Sequence, residues 1–350
     1  MKKIVLASLL SALFCTFLFA EDMDNATNEP AVAPTSSINL RPQFRGTLRV
    51  RGEHRFDENL NRFNIPNARV ALFGNATEWA SYQMQVDLNS HGQFRFLDME
   101  ARFRENRNFS FRVGQMLVPF TQLQQIVPRM VALCELPWVV SRMGGSLRDV
   151  GVNATYRFRI NDFPIALTGG IYNGEGIGNP IIWTNNFAHS FRLMFGAMEG
   201  VRASLKTYHN EQHEIYGVDF RFFRNGFTVD AEVLRGNYIR ADETIRKIGS
   251  LLHVAQMFNT GRETIRYVEP IVRWDMMGLA NSENFSDANR LTFGINFGFR
   301  EFNQRQFFRT GELRLNYAHV FVNDARAPIY FGANPALWSN KLILEFTLEI

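Results

Sequence analysis

The sequence predicts an all-β protein, a transmembrane antiparallel β-barrel of about 16 strands with one loop folded into its interior. Three observations carry this prediction: a secretory signal at the N-terminus, side chains that alternate between apolar and polar, and a final decamer, KLILEFTLEI, with the same alternation. Every second residue from Leu342 to Ile350 is apolar, whereas Lys341, Glu345 and Glu349 are charged. Because a terminal strand frays unless a neighbour pairs with it, we expect barrel closure to supply that neighbour.

The N-terminal segment has the features of a signal peptide. Two lysines are followed by an apolar stretch from Ile4 to Phe19 and then by Ala20, which predicts a signal peptide over residues 1–20. Residues 21–38 are rich in Asn, Pro, Ala and Ser and are expected to form a flexible leader, with the barrel over 39–350. After signal removal Cys134 is the only cysteine, so an intramolecular disulfide is excluded.

The two-residue period is clearest near the start of the predicted barrel. In QFRGTLRVRGEHRF, Phe44, Leu48 and Val50 share one face, while Arg45 and Arg49 lie on the other. The same alternation returns in SYQMQVDL, LDMEARFR, VNATYRFR, YGVDFRF, FTVDAEV, LTFGINFGF and GELRLNYA. Strands of roughly nine to eleven residues cross a bilayer when they are tilted. The spacing of the alternating segments fits about fourteen to eighteen such strands.

A soluble sandwich or solenoid of amphipathic strands is the alternative architecture. Rows of arginine and carboxylate on the polar faces, and Phe, Tyr and Trp at strand ends, favour the membrane barrel. The alternation is ragged across residues 236–264, where the strand boundaries stay open.

The basic residues are almost all arginine. Only five of the 38 basic side chains are lysines, and the formal net charge of +4 gives no reason to expect a nucleic-acid partner. Arginines on polar strand faces would create a positive field along a barrel wall. The pore-lining candidates are Arg45, Arg49, Arg51, Arg69, Arg102, Arg104, Arg112, Arg157 and Arg159. The alternative is that cross-strand ion pairs with carboxylates neutralise many of them, which would make them wall scaffolding.

The longest interruption of the strand pattern lies between Gly114 and Val150. A pore needs a constriction that filters solutes, and this segment is the candidate for a loop folded inward. Its charged constriction candidates are Arg129, Glu135, Arg142 and Arg148.

The sequence offers little support for an enzyme or a metal-binding protein. The two histidines of HNEQH, residues 209–213, could form a metal-binding pair, but a solvated turn between strands is the simpler interpretation. The glycines of NGEGIGNP, residues 173–180, lack a strand–helix unit around them and are expected in an external loop. We therefore predict no catalytic residue, no metal and no cofactor.

Several segments resemble the phosphate-selective porin O and P family of bacterial outer membranes. The strongest is FRVGQMLVPFTQ, residues 111–122, followed by SRMGGSLRDVGV with its Arg148–Gly151 element. Further similar stretches are GGIYNGEG (169–176), VEPIVRWD (268–275), LTFGINFGF and the closing decamer. The resemblance implies a sixteen-stranded, usually trimeric barrel that passes anions by diffusion.

From this resemblance we expect a passive porin of the bacterial outer membrane, a homotrimer surrounded by outer-membrane lipid. Its solutes would be small anionic or polar molecules, with a weak to moderate preference for anions. The family's phosphate channels combine arginines with a lysine cluster, whereas Lys206, Lys247 and Lys341 are far apart, so phosphate selectivity stays open. A general non-selective porin is the first alternative, and a barrel enzyme or an adhesin is the second.

Overall fold

The computed structural model describes residues 40–90, 92–121, 132–144, 148–178, 183–240, 243–280, 286–300 and 311–349. The predicted signal peptide, the predicted leader and the constriction candidate Arg129 lie outside these residues. The first strand begins at Gln43, close to the predicted start of the barrel.

The described residues form one antiparallel sheet of sixteen strands that closes on itself. The strands are β1 Gln43–Arg55, β2 Leu60–Asn75, β3 Ala80–Ser90, β4 Gln93–Arg104, β5 Phe109–Leu117, β6 Arg148–Ile160, β7 Phe163–Tyr172, β8 Ala188–Gly196, β9 Gly200–His209, β10 His213–Arg224, β11 Phe227–Arg240, β12 Glu243–Gln256, β13 Tyr267–Leu279, β14 Ala288–Gly298, β15 Gly311–Val322 and β16 Lys341–Glu349. After Met257, β12 continues for two residues, Phe258–Asn259, which pair with β13 in the same register. The predicted barrel of about 16 strands is therefore confirmed.

The last strand closes the barrel by pairing with the first. β16 runs antiparallel to β1 from Thr47 opposite Glu349 to Arg55 opposite Lys341. This pairing satisfies the backbone groups of a terminal strand that would otherwise be an open edge. We call the end of the barrel where β1 begins and β16 finishes the terminal end, and the opposite end the loop end.

Side chains alternate between the lumen and the outer surface as the sequence predicts. On β1, Phe44, Leu48 and Val50 are exposed on the outside, whereas Arg49 and Arg51 are buried on the inside. Large exposed apolar side chains occur on the outer face of every strand from β1 to β16, with one each on β5, β7, β8 and β14 and more on the others. An apolar surface of this extent is a membrane-facing surface, because water-soluble monomers rarely expose such continuous patches.

The helical pieces among the described residues are short. They comprise Val139–Met143, Gly176–Gly178, Ala327–Phe331 and Pro335–Leu337, all in connections at the loop end. Among the described residues, no helix has the length and apolar character needed to cross a membrane.

Gly114 occupies a position on β5 that requires glycine. Its φ is +123°, and a Cβ atom there would lie 2.3 Å from the backbone oxygen of Met99 on the neighbouring strand. We expect Gly114→Ala to lower the free energy of unfolding by about 2 kcal/mol or more, since a strained φ and a backbone clash combine. Reversible urea unfolding in phospholipid vesicles, followed by tryptophan fluorescence, measures the loss.

Gly92→Ala is the matched control for this prediction. Gly92 also has a positive φ, +89°, but an added Cβ would meet nothing within 4 Å. The control should lose only about 1 kcal/mol. An equal loss in the two variants would show that the contact with Met99 is unimportant.

Candidate functional site

The connection between β5 and β6 folds into the lumen, as the sequence predicts. At its start, Val118 and Phe120 are fully buried, and the Phe120 ring lies 5.9 Å from the ring of Tyr208 on the far wall. Its later part, residues 132–144, is also largely buried among inward-facing side chains of β10 to β16 and β1. We call the described residues 118–121 and 132–144 the constriction loop.

Side chains of the barrel wall hold the constriction loop through hydrogen bonds to the loop backbone. The carbonyl oxygen of Cys134 accepts hydrogen bonds from Arg49, at 2.8 Å, and from Arg51. The Cys134 N–H donates to Oδ1 of Asn316 at 2.7 Å, and the carbonyl of Ala132 accepts from Asn296 at 2.8 Å. Because the loop's polar groups are buried, these bonds satisfy donors and acceptors that would otherwise destabilise an inward fold.

One carboxylate organises the arginines beneath the loop. Glu345 on β16 is fully buried and accepts from Arg49 at 2.8 Å and from Arg51 at 2.7 Å, with Arg314 on β15 at 3.4 Å. Three guanidinium groups thus share a single carboxylate, and two of them continue to the loop. The arrangement places Glu345 at the centre of the loop's support.

A second set of contacts holds the next turn of the constriction loop. The Glu135 carboxylate forms ion pairs with Lys341, at 2.6 Å, and with Arg290, at 3.0 Å. The backbone oxygen of Glu135 accepts from Arg273 at 2.7 Å, and Asp275 joins Arg273 and Arg290 with one carboxylate oxygen. Loop and wall are therefore one connected charge network.

The Glu135 carboxylate stays ionised in acid. Partial burial alone would raise the pKa of its carboxyl, but the charges of Lys341 and Arg290 outweigh that effect and hold the pKa below its ordinary value of 4.5. A group whose pKa is lowered by folding stabilises the folded state at every pH above its ordinary pKa. This stabilisation is lost only when the pH falls through the lowered pKa of the folded state. The anchor therefore persists through mildly acidic conditions. By contrast, burial raises the pKa of the neighbouring Cys134 thiol to about 12, so this thiol is neutral and unreactive.

The helical turn Val139–Met143 packs against the wall opposite β2 to β7. Val139, Val140 and Met143 are buried in one apolar cluster with residues of β11 and β12. The Tyr238 hydroxyl donates to the Met143 carbonyl at 2.8 Å. Just before the turn, the Trp138 ring lies 5.3 Å from that of Trp338, so the β15–β16 connection covers the constriction loop from the loop end.

On the wall formed by β2 to β7, several inward-facing arginines stay partly accessible from the lumen. The Arg102 side chain is 22% exposed over Glu100, which is 2% exposed, and Arg69 is 15% exposed over a fully buried Asp87. Arg112 shares Glu100 at 3.5 Å and is exposed to the same extent as Arg102. Because each carboxylate lies beneath its arginine, this wall presents mainly guanidinium groups to the lumen.

Comparison with known proteins identifies the architecture. No protein-family model matches the chain, and no curated protein matches it. Among solved structures, the anion-selective porin from Comamonas acidovorans aligns with a TM-score of 0.60 at 11% identity, over 89% of this chain and 99% of that one. OmpF of Salmonella typhi, in complex with daunomycin, gives 0.62 at 11% identity over 88% and 97%. The trimer form of OmpT, an outer membrane protein of Vibrio cholerae, gives 0.59 at 10% identity over 89% and 99%.

This chain has the porin fold. The similarity confirms the barrel and the outer-membrane class of fold that the sequence predicts, while identities this low carry no information on solute. Membership of the narrower phosphate-selective family stays a prediction. Within the porin fold, the remaining sequence candidates can be placed residue by residue.

The other arginine candidates also lie on the inner wall or at its rim. Arg45 forms an ion pair with Glu349 at 3.3 Å, and Arg157 donates to the Ser110 hydroxyl at 3.1 Å. Arg104 is half-buried at the end of β4, and Arg159 is exposed near the end of β6. Together with Arg69, Arg102 and Arg112 they flank the accessible lumen, whereas Arg49 and Arg51 are covered by the constriction loop.

The constriction candidates separate into three positions. Glu135 lies in the loop with a 24% exposed side chain, and Arg142 is half-buried in the helical turn. Arg148 is instead the first residue of β6 and pairs with Asp98 on β4 at 2.8 Å, where it fixes the return of the chain to the wall. Whether any of them filters solutes stays a prediction.

The structure adds charged residues that the sequence interpretation did not single out. Arg273 and Arg290 anchor the loop directly and Arg314 bonds Glu345 beneath it, and strict alternation in VEPIVRWD and GELRLNYA already places Arg273 and Arg314 on inward faces. A second buried cluster lies on β8 to β11, where Lys206 bridges Asp219, at 2.7 Å, and Glu232. The members of this cluster are Arg192, Arg202, Lys206, Arg221, Asp219, Asp230 and Glu232.

The two histidines of HNEQH do not face each other. His209 is exposed on the outer surface, whereas the His213 ring faces inward and lies 5.1 Å from that of Tyr238. In the part of the chain that the structure describes, no group of three His, Cys, Asp or Glu side chains is close enough together to hold a metal ion.

Proposed function

We propose that this protein is a passive porin of the bacterial outer membrane that admits small hydrophilic solutes with a weak to moderate preference for anions. Solutes would pass between the constriction loop and the wall formed by β2 to β7. A pore of this kind needs a lining that replaces lost hydration without holding the solute tightly, and a half-exposed arginine wall suits that requirement.

The observation that carries the proposal is the unequal exposure of paired charges. In the pairs Arg69–Asp87, Arg102–Glu100 and Arg112–Glu100, the arginine is 15–22% exposed and the carboxylate at most 2%. By formal charge these five side chains sum to only +1, three arginines against two carboxylates. A solute in the lumen, however, meets the guanidinium groups first and is shielded from the carboxylates, so the local potential favours anions.

Glu135 explains why the expected preference is weak to moderate. Its carboxylate is more exposed, at 24%, than its partners Arg290 and Lys341, which are 2% and 3% exposed. At the constriction itself the solute therefore meets one accessible negative charge, and the two signs oppose each other.

The proposal does not extend to phosphate specificity. The three lysines beyond the predicted signal peptide are each engaged in separate contacts. Lys206 lies between two acids, Lys247 donates to the Tyr330 carbonyl at 2.7 Å, and Lys341 pairs with Glu135. A homotrimer is part of the proposal and is supported by the trimer form of OmpT.

Reversal potentials test the proposal. We expect purified protein in a planar bilayer, under a tenfold KCl gradient, to give a reversal potential of the sign that chloride permeation produces. A value at zero would leave the general non-selective porin as the function, and a cation-selective sign would contradict the arginine wall. Failure to form channels, with retained folded structure, would revive the barrel-enzyme and adhesin alternatives.

A further inference from the structure

The outer surface carries a polar patch near the loop end of β10, β11 and β12. On β11, Leu234 and Tyr238 are buried toward the lumen and Val233 is exposed on the outside, so alternation places Arg235 and Asn237 outward as well. On β12, Arg246 is likewise outward and exposed. Together with Glu214 on β10, these three polar side chains adjoin the exposed apolar side chains Val218, Val233 and Leu252 of the same strands.

The strand register brings these residues together. Asn237 lies opposite Arg246 on β12 and opposite Glu214 on β10. Arg235, two residues further toward the membrane, lies opposite Tyr216. Directly opposed residues have Cβ atoms about 4.5–5.5 Å apart and diagonal ones about 7–8 Å, so both arginines can reach one shared group.

The neighbouring carboxylate is already engaged. Glu214 accepts from the Tyr216 hydroxyl at 2.5 Å and from the Asn237 amide at 2.9 Å. Within the described residues, neither Arg235 nor Arg246 has a side-chain hydrogen bond or an ion pair, and both are exposed. Two guanidinium groups thus lie at the membrane boundary with five N–H donors each and no acceptor among the residues that the structure describes.

A lipid-facing arginine is tolerated near the membrane interface but costs about 2–4 kcal/mol at the midplane. Arg246 is three residues and Arg235 five residues from the adjoining ends of their strands, which places both toward the loop-end interface. Tyr216 beside them is a residue type that favours this interface. At that depth, the groups that match a guanidinium fork are the phosphate oxygens of lipid headgroups.

We propose that Arg235 and Arg246 together bind the phosphate group of an anionic lipid in the leaflet at the loop end. Asn237 and Glu214 hold the intervening surface in place through their mutual hydrogen bond. This site lies outside the barrel, so it requires membrane insertion but is independent of what the lumen conducts.

The test uses the full-length protein in a zwitterionic detergent and diphosphoryl lipid A as the probe, a lipid with two phosphate groups. We expect R235Q/R246Q to weaken lipid A binding about tenfold or more, measured by native mass spectrometry across a lipid titration. The matched control is R224Q, since Arg224 is an exposed arginine at the terminal end of β10 and should leave binding unchanged.

Three results would overturn the proposal: equal affinity of the double variant and the wild type, equal weakening by R224Q, or full competition by millimolar inorganic phosphate, which would indicate a simple ion site. If R235Q/R246Q fails to fold, R235K/R246K serves instead. It keeps both charges but loses the paired N–H donors, and we expect it to bind more weakly than the wild type. Wild-type affinity in the lysine variant would contradict the bidentate recognition.

Discussion

Glu345→Gln is expected to lower the free energy of unfolding by about 3–5 kcal/mol, because it removes the one carboxylate that three buried arginines share. In the wild type, Arg49, Arg51 and Arg314 all direct N–H groups at this one carboxylate, which has no exposed surface. A glutamine oxygen can accept only part of these bonds and carries no charge. The repulsion among the three guanidinium groups is then offset only by Glu53 beside Arg51 and Glu312 beside Arg314, in a region of low solvent access.

The same substitution should loosen the constriction loop, since Arg49 and Arg51 also hold the Cys134 carbonyl. We expect larger open-channel current noise in single-channel recordings, together with the lowered urea midpoint in vesicles. Glu349→Gln is the control, because Glu349 lies on the same face of β16 and pairs with Arg45, whose side chain is 28% exposed. Its loss should be at most about 1 kcal/mol. Similar losses in the two variants would show that Glu345 has no special role.

R102Q/R112Q is expected to shift selectivity toward cations by roughly a factor of ten in the permeability ratio. The double substitution removes the two guanidinium groups that cover Glu100 and uncovers a carboxylate that is 2% exposed in the wild type. The part of the wall around Glu100 thus changes from presenting two positive charges to presenting one negative charge. The reversal potential under a KCl gradient should move by a corresponding amount and change sign.

Adding E100Q to the double variant separates the two contributions. R102Q/R112Q/E100Q removes the uncovered carboxylate as well, so we expect selectivity between those of the wild type and the double variant. A triple variant identical to the double variant would mean that Glu100 is never sensed by permeating ions. Unchanged selectivity in both variants would place the conduction path elsewhere in the lumen.

Alternation was sufficient to predict most of the barrel. A residue such as Phe44 or Leu48 must face lipid because its neighbours Arg45 and Arg49 cannot, and a strand offers only two faces. The pattern was ragged across 236–264 for two physical reasons that the structure reveals. Arg246 occupies an outward position that is normally apolar, and β12 is interrupted at Met257 before it resumes.

The part of the barrel wall against which the constriction loop packs could not be predicted in the same way. The long interruption of the strand pattern identified the loop, and Glu135 was a constriction candidate. The ion-pair partners of Glu135, Arg290 and Lys341, are 155 and 206 residues away in the sequence. No periodic pattern encodes which wall a loop will cover. For this reason the sequence grouped Arg49 with Arg69 as equivalent pore-lining candidates, although the loop buries the first and leaves the second accessible.

The barrel wall holds the constriction loop largely through hydrogen bonds to main-chain oxygens, those of residues 132, 134, 135 and 136. Every amino acid supplies such an oxygen, so replacing the exposed side chain of Leu136 leaves these hydrogen bonds intact, whereas Ala132 and Cys134 are buried and are constrained by packing. The side-chain chemistry at this point of the loop can therefore change while the wall continues to hold the backbone in place. One scaffold of this kind can carry different exposed side chains inside the barrel with little effect on its folding.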